Sequence, residues 1–323
     1  ARRERRQARQ NAAFEDNVRL ALWRMDSAVA PLLAEESARP YFAYRAFHEP
    51  RNAAASTRTP GRLLASSPLL GEPPDHVLVY FQFDGQGRLT SPQVPDAKWQ
   101  ELAVPKFTSA EAVARAEQQL LELGRQIDRV RLAALLPEPS AAPAEWVLAP
   151  LVPTEEQQSA VRERRTNLNK QGRAAVEFDQ RSQAVSNVAA LSQQQQQRLA
   201  PGLPEAATTD LGGAAMTPVW LDGQLLLARR MHVNDSQIVQ GCLLDWPAIR
   251  QSLLESVADL LPEADLLPVN RPGDDGHARR LAALPARVVA VPPPLRIGEP
   301  ASALQLSLMI AWACALLAAA AVA

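Results

Sequence analysis

The sequence predicts an α+β fold: a long N-terminal helix, an antiparallel sheet with flanking helices, and a C-terminal transmembrane helix. Three observations carry this. Phe14, Val18, Leu22, Met25 and Val29 recur every three or four residues within the first 37, one stripe of a 3.6-residue period. Two blocks, "HVLVYFQFDGQGRLTSPQV" and "VWLDGQLLLARRMHVNDSQIVQGCLL", alternate β-branched or aromatic runs with Asp-Gly and Asn-Asp turn signals. Finally, residues 300–323 contain no charge, and a lipid-spanning helix needs only about 20 mostly apolar residues.

Taken in order, residues 1 to about 37 form one helix, with Pro31 expected to kink or reset it. The aromatic cluster Tyr41, Phe42, Tyr44 and Phe47 reads as a packing anchor, and residues 51–75 as a loop. Val77 to Phe83 is the first strand, turned by Asp84-Gly85 and Gly87 into a second. Residues 109–136 suit one amphipathic helix, with Val113, Ala116, Leu120, Leu123, Ile127 and Val130 on its buried side. The stretch 154–200 is helix-compatible at first, and a mobile segment is expected over 185–213, around five glutamines at 193–197. A three-strand meander follows: Val219–Leu221, Leu225–Val233 and Gln237–Leu244. Asp245 then caps a helix that carries Pro247 in its first turn and runs to about Leu260. A last strand covers 286–291. Antiparallel strands with segregated helices mean α+β, not a doubly wound parallel sheet. Such a meander is what a PAS-like or Cache-like sensor sheet needs.

Composition excludes more than it assigns. A formal net charge of −1 over 323 residues suggests neither nucleic acid nor an anionic surface as a partner of the whole chain. With two cysteines, Cys242 and Cys314, a disulfide framework is excluded. Among four histidines, none is paired with another His or Cys at metal-ligand spacing, so no metal site is expected. No phosphate-cradling glycine loop and no nucleophile-and-base set stands out, so no catalytic residue can be nominated and a soluble hydrolase is disfavoured. "FHEPRN" at 47–52 superficially matches the His-Glu-x-Arg start of a phosphoacceptor motif. That motif must be helical, whereas Pro50 forces His48-Glu49 towards extended backbone.

The apolar tail is at the wrong end for a signal peptide, and a lipid-anchor signal would want a small-residue cleavage site and polar spacer ahead of it. A buried core helix is the alternative. The chain opens on Ala1, and the tail lacks the Lys/Arg cluster that usually follows a span. Both ends therefore read as cut from a longer membrane protein.

Three segments carry a family resemblance: "NVRLALWRMDSAVAPLLAEESARPYFAYRAF", "GRLLASSPLLGEPPDHVLVYFQFDGQGRLTSPQVP" and "VWLDGQLLLARRMHVNDSQIVQGCLLDWPAIRQSLLESVADLLPEADLLPV". They resemble the N-terminal sensor region of planctomycete sensor histidine kinases. The resemblance implies a juxtamembrane helix over 1–40, an extracytoplasmic sensor domain over 41–297 and a transmembrane helix over 301–323. It also implies an N-terminal span ahead of residue 1 and a kinase core beyond residue 323. ATP would be a cofactor of that core alone, with none in this chain. The implied partners are the cell membrane, a second copy in a homodimer and a cytoplasmic response regulator, with no nucleic acid. The inner sheet face around Tyr80, Gln82, Trp220, Arg229, Arg230 and Gln240 is where a ligand is expected; as plain structure, Trp220 and Tyr80 are core and the arginines a solvated strand end. Arginines 2, 3, 5, 6 and 9 oppose the usual positive-inside bias. They favour the rival reading, a non-enzymatic interaction or structural protein with a C-terminal anchor and a cytoplasmic body.

Overall fold

The computed structural model describes residues 2–48, 65–104, 106–138, 170–199, 215–233, 236–269, 279–292, 307 and 310–312. The chain divides into two compact units. The larger spans Asn17–Ala290, and the smaller combines Ala1–Asp16 with Val291–Ala323.

Helix α1 is Arg2–Ala38, and every residue of the expected apolar stripe is buried in it. The helix does not stop at Pro31; it continues seven residues further, with the proline ring exposed. Tyr41–Tyr44 then makes one tight 3-10 turn. Here Tyr44 is buried, while Phe47 packs on Trp99 and Phe107, as an aromatic anchor should. A two-residue ribbon joins β1 (Phe47–His48) to β2 (Ala65–Ser66). His48 is thus extended and stacks on Phe42, and burial lowers its pKa.

The central sheet holds β3 (Val77–Phe83), β4 (Leu89–Thr90), β5 (Thr217–Leu221), β6 (Gln224–Val233) and β7 (Ser236–Leu244). Its order is β4-β3-β7-β6-β5, and every neighbouring pair is antiparallel. The β5–β6 hairpin turns on Asp222 and Gly223, both at positive φ, as a two-residue turn matched to strand twist requires. Between β4 and β5 lie α2 (Ala97–Ala103), which sequence reasoning missed, then α3 (Ala110–Gln126), α4 (Arg129–Leu135) and α5 (Lys170–Leu199).

The single helix expected over 109–136 is therefore two. Ser109 caps α3 by accepting from the Ala112 amide, and Asp128 starts α4 afresh by accepting from the Arg131 amide. That restart rotates Val130 out of the stripe, leaving it 73% exposed. Helix α5 continues through the glutamines to Leu199, so the segment expected to be mobile from 185 is helical up to that point; 200–213 lie outside the described residues.

Helix α6 (Trp246–Ser256) is capped by Asp245, as its sequence predicts, but ends four residues before Leu260. The last strand, β9 (Ala286–Val289), pairs with β8 (Asp265–Pro268) and bridges to Arg280 at Arg287, so it forms a ribbon separate from the central sheet. Of the C-terminal apolar run, only Ser307 and Ile310–Trp312 are described, and the span expected over 301–323 otherwise lies outside the described residues. Among the described residues, no helix is long and apolar enough to cross a membrane.

One sheet face is a dry core. Val79, Phe81, Phe83, Leu226, Ala228, Val239 and Leu243 pack against Ala116 and Leu123 of α3, Ile127 just after it and Leu132 of α4. Phe81 crosses β7 at Gly241, where an added Cβ would lie 2.9 Å from the Phe81 ring and 2.5 Å from the Leu227 carbonyl. Only glycine fits there.

Candidate functional site

The other sheet face carries a polar cluster at its centre, and this cluster meets the end of α1. Alternation along β3, β7 and β6 puts Tyr80, Gln82, Gln240, Cys242 and Arg229 on that face, because Gln82 is opposite Gln240 and Gln240 opposite Arg229. The Gln240 amide donates to Gln82 Oε1 and to the Tyr41 carbonyl, each at 2.8 Å. Arg229 donates to Gln240 Oε1 at 3.2 Å, to the Arg39 carbonyl at 2.6 Å and to the Ser37 carbonyl at 3.3 Å.

Those last two bonds are a helix cap. The final carbonyls of a helix have no partner inside it, and the macrodipole makes that end negative. No basic residue stands in the last turn of α1 itself. Arg229 supplies the missing cation from the sheet. Burial lowers its pKa, an effect opposed by Tyr44 and Glu36. The Arg229 guanidinium also lies 5.9 Å from the centre of the Tyr44 ring.

Beside this cap, Glu36 is fully buried and is held from two sides: Arg39 Nε donates at 2.8 Å and the Tyr80 hydroxyl at 2.9 Å. Burial opposes the Arg39 charge, but Glu36 outweighs it and holds the arginine pKa up. Burial, then Glu36, holds the Tyr80 hydroxyl protonated far above the ordinary range. Cys242, in the same layer, is kept a thiol by burial. Gln93 completes the layer from the edge, accepting the Tyr80 amide at 2.8 Å where two-residue β4 is too short to pair it. Two groups in this layer, the Tyr44 hydroxyl and Arg229 Nε, are buried without a hydrogen-bond partner among the described residues.

Four of the six residues singled out from the sequence thus converge, and two do not. Arg230, next along β6, emerges on the dry face and caps α4 by donating to the Leu136 carbonyl at 2.9 Å. Trp220 is at the far strand, its indole donating to the Pro285 carbonyl at 2.7 Å and meeting Trp246 edge-on. The convergent four are core-bound, so a solvated strand end is excluded for Arg229. No family model matches the chain, and no curated protein or solved structure matches it either. The site is therefore characterised by its own geometry.

Sequence reasoning missed Glu36, Ser37 and Arg39, yet a signal existed. Glu36 is about five helical turns after Val18, on the arc of the buried stripe, so a carboxylate there must find partners. The same signal marks a second node at Asp26, again on the buried side. Asp26 Oδ2 pairs with Arg181 of α5, while Oδ1 accepts the amides of Ala282 and Ala283 at 2.9 Å each. Arg181 also donates to the Arg280 carbonyl at 2.8 Å, and the Phe178 ring lies near both guanidinium groups. Among the described side chains of α5, Arg181 alone is buried. Beside this pair, Trp23, Ala30, Pro31, Ala184, Val185 and Val188 line a cleft of about 140 Å³.

Proposed function

We propose that this chain is the stimulus-sensing, membrane-attached region of a sensor histidine kinase of a two-component system. It has no catalytic residues of its own, and phosphotransfer belongs to a kinase core outside it. The sensor domain is extracytoplasmic, held by the apolar run at 301–323 and by a further N-terminal span. A PAS- or Cache-type sheet is the finer fold assignment. It is supported by five antiparallel strands whose chain-order sequence across the sheet is second, first, fifth, fourth, third. Fold likeness alone carries no function, so the weight falls on the site.

The observation that carries the proposal is the bonding of the sheet's middle strands to the end of α1. Through Arg229 and Gln240, strands β6 and β7 hold the carbonyls of Ser37, Arg39 and Tyr41. Any ligand that moves these strands changes how α1 is capped, and α1 leads towards the membrane in this reading. Such coupling needs only that the ligand favour one of two arrangements. Tyr80, Gln82, Arg229 and Gln240 are the responsive set; Trp220 and Arg230 are fixtures that hold the β8–β9 segment and α4.

Labelling of a cysteine placed at Thr90 tests the placement. Thr90 is exposed, and native Cys242 is fully buried, so a Cys314→Ser background gives a clean readout. A membrane-impermeant maleimide should label Thr90→Cys in intact cells. Labelling only after permeabilisation overturns the extracytoplasmic assignment.

A further inference from the structure

The N-terminal end of α1 carries a cationic stripe that neither the core nor the sheet network uses. At 100° per residue, Arg5, Arg6 and Arg9 fall within an arc of about 100°, turned away from Glu4 and from buried Phe14. Asp16 ends the stripe. Every side chain from Glu4 to Ala13 is exposed, and Arg5, Arg6 and Arg9 make no ion pair or hydrogen bond among the described residues. Five arginines against one glutamate in residues 2–9 stand out in a chain whose formal net charge is −1.

A solvated helix end could scatter such charge around its circumference. Here Arg5, Arg6 and Arg9 share one side, with only alanine, asparagine and glutamine otherwise between residues 7 and 13. We infer that this stripe is a contact surface for anionic phospholipid headgroups, holding the start of α1 along the bilayer. The inference rests on the membrane attachment proposed above, because the uncharged run at 300–323 is what brings the chain to a bilayer. Near an anionic surface each basic side chain adds about fivefold to partition, and the effect is screened beyond about 10 Å in ordinary salt. No aromatic residue occurs before Phe14, so base stacking, the usual complement to charge on single-stranded nucleic acid, has no platform here.

The test uses the full chain in a Cys314→Ser background, with a fluorophore on Ala12→Cys. It is mixed with vesicles of phosphatidylcholine or of phosphatidylglycerol whose headgroups carry a quencher. Flotation and quenching are both read. Flotation with both vesicle types, with quenching at least about fivefold stronger on phosphatidylglycerol, supports the inference. That excess must vanish in high salt and in the Arg2→Gln/Arg5→Gln/Arg6→Gln/Arg9→Gln variant, whose helix is otherwise preserved. Flotation with phosphatidylglycerol alone supports the stripe and sinks the apolar anchor. Flotation with both but equal quenching overturns the stripe and spares the anchor; flotation with neither overturns both. Retention of a duplex oligonucleotide that depends on the same four arginines, without lipid quenching, overturns it in favour of nucleic acid.

Discussion

Arg229 and Arg230 are adjacent on β6, yet they leave the strand on opposite faces and cap different helices. Arg230 reaches the end of α4 across a face built mainly from Val, Leu, Ile, Phe and Ala, and Glu138 stands 3.9 Å away in solvent. Arg229 reaches the end of α1 through a layer of Tyr, Gln, Glu and Arg side chains that has no comparable access to water. Shape complementarity fixes the first face, and it tolerates no loss of fit. Partner matching fixes the second, where each group depends on its neighbour's charge or hydrogen-bonding state. A surface meant to respond to a polar stimulus is better built the second way, because a change at one residue alters the bonding of several others.

The largest expected effect breaks the polar face. Glu36→Ala leaves Arg39 without its main partner and the Tyr80 hydroxyl with no acceptor, and should cost about 3–5 kcal/mol in urea unfolding. A cost under about 1 kcal/mol would mean the layer is loosely held. On the dry face, Gly241→Ala should cost about 3 kcal/mol, because its Cβ meets backbone as well as the Phe81 ring. Pairing it with a smaller side chain at Phe81 should recover only part, since the Leu227 carbonyl still blocks the methyl.

Next come the two caps, which separate the faces within one strand. Arg229→Met should cost about 2 kcal/mol and speed amide exchange over residues 33–42. Arg230→Met should cost about 1 kcal/mol and speed exchange only around 130–137. Exchange that spreads equally in both variants would refute a separate coupling of α1 to the polar face.

Most of the framework was readable before the structure, for specific reasons. The α1 stripe, the "LDGQ" turn and the Asp245 cap are local signals, and each depends on residues within a few positions of one another. What escaped was long-range. Nothing near Asp265–Pro268 announces a strand, since its partner is β9, and β9 itself reads as a strand without revealing that it leaves the main sheet. Within the site, the alternation of β6 already separated Arg229 from Arg230, so grouping them asked too much of one face. The converse error concerned burial. Arg229 reads as a solvated strand end because its partners are backbone carbonyls about 190 residues earlier in the chain, which no composition or period reveals.

The smallest expected effect concerns pH and the Asp26 node. Burial raises the Asp26 carboxyl above its ordinary value, and neither Arg181 nor the Ala282 and Ala283 amides fully offset it. The folded chain therefore binds this proton more tightly than the unfolded one. Its contribution to stability is complete below the unfolded pKa and declines as pH rises through the folded value. Asp26→Asn removes that decline. It also puts an amide NH2, a donor, where a carboxyl oxygen accepted from buried Arg181, so the variant should be the less stable of the two throughout. The gap between parent and variant in urea midpoint should then narrow as pH goes from about 4 to 7. A gap that widens over that range would show that Arg181 dominates the carboxyl and holds it below its ordinary value. In that case α5 would be docked by a firm ion pair, and the end of α1 would be the softer of its two attachments.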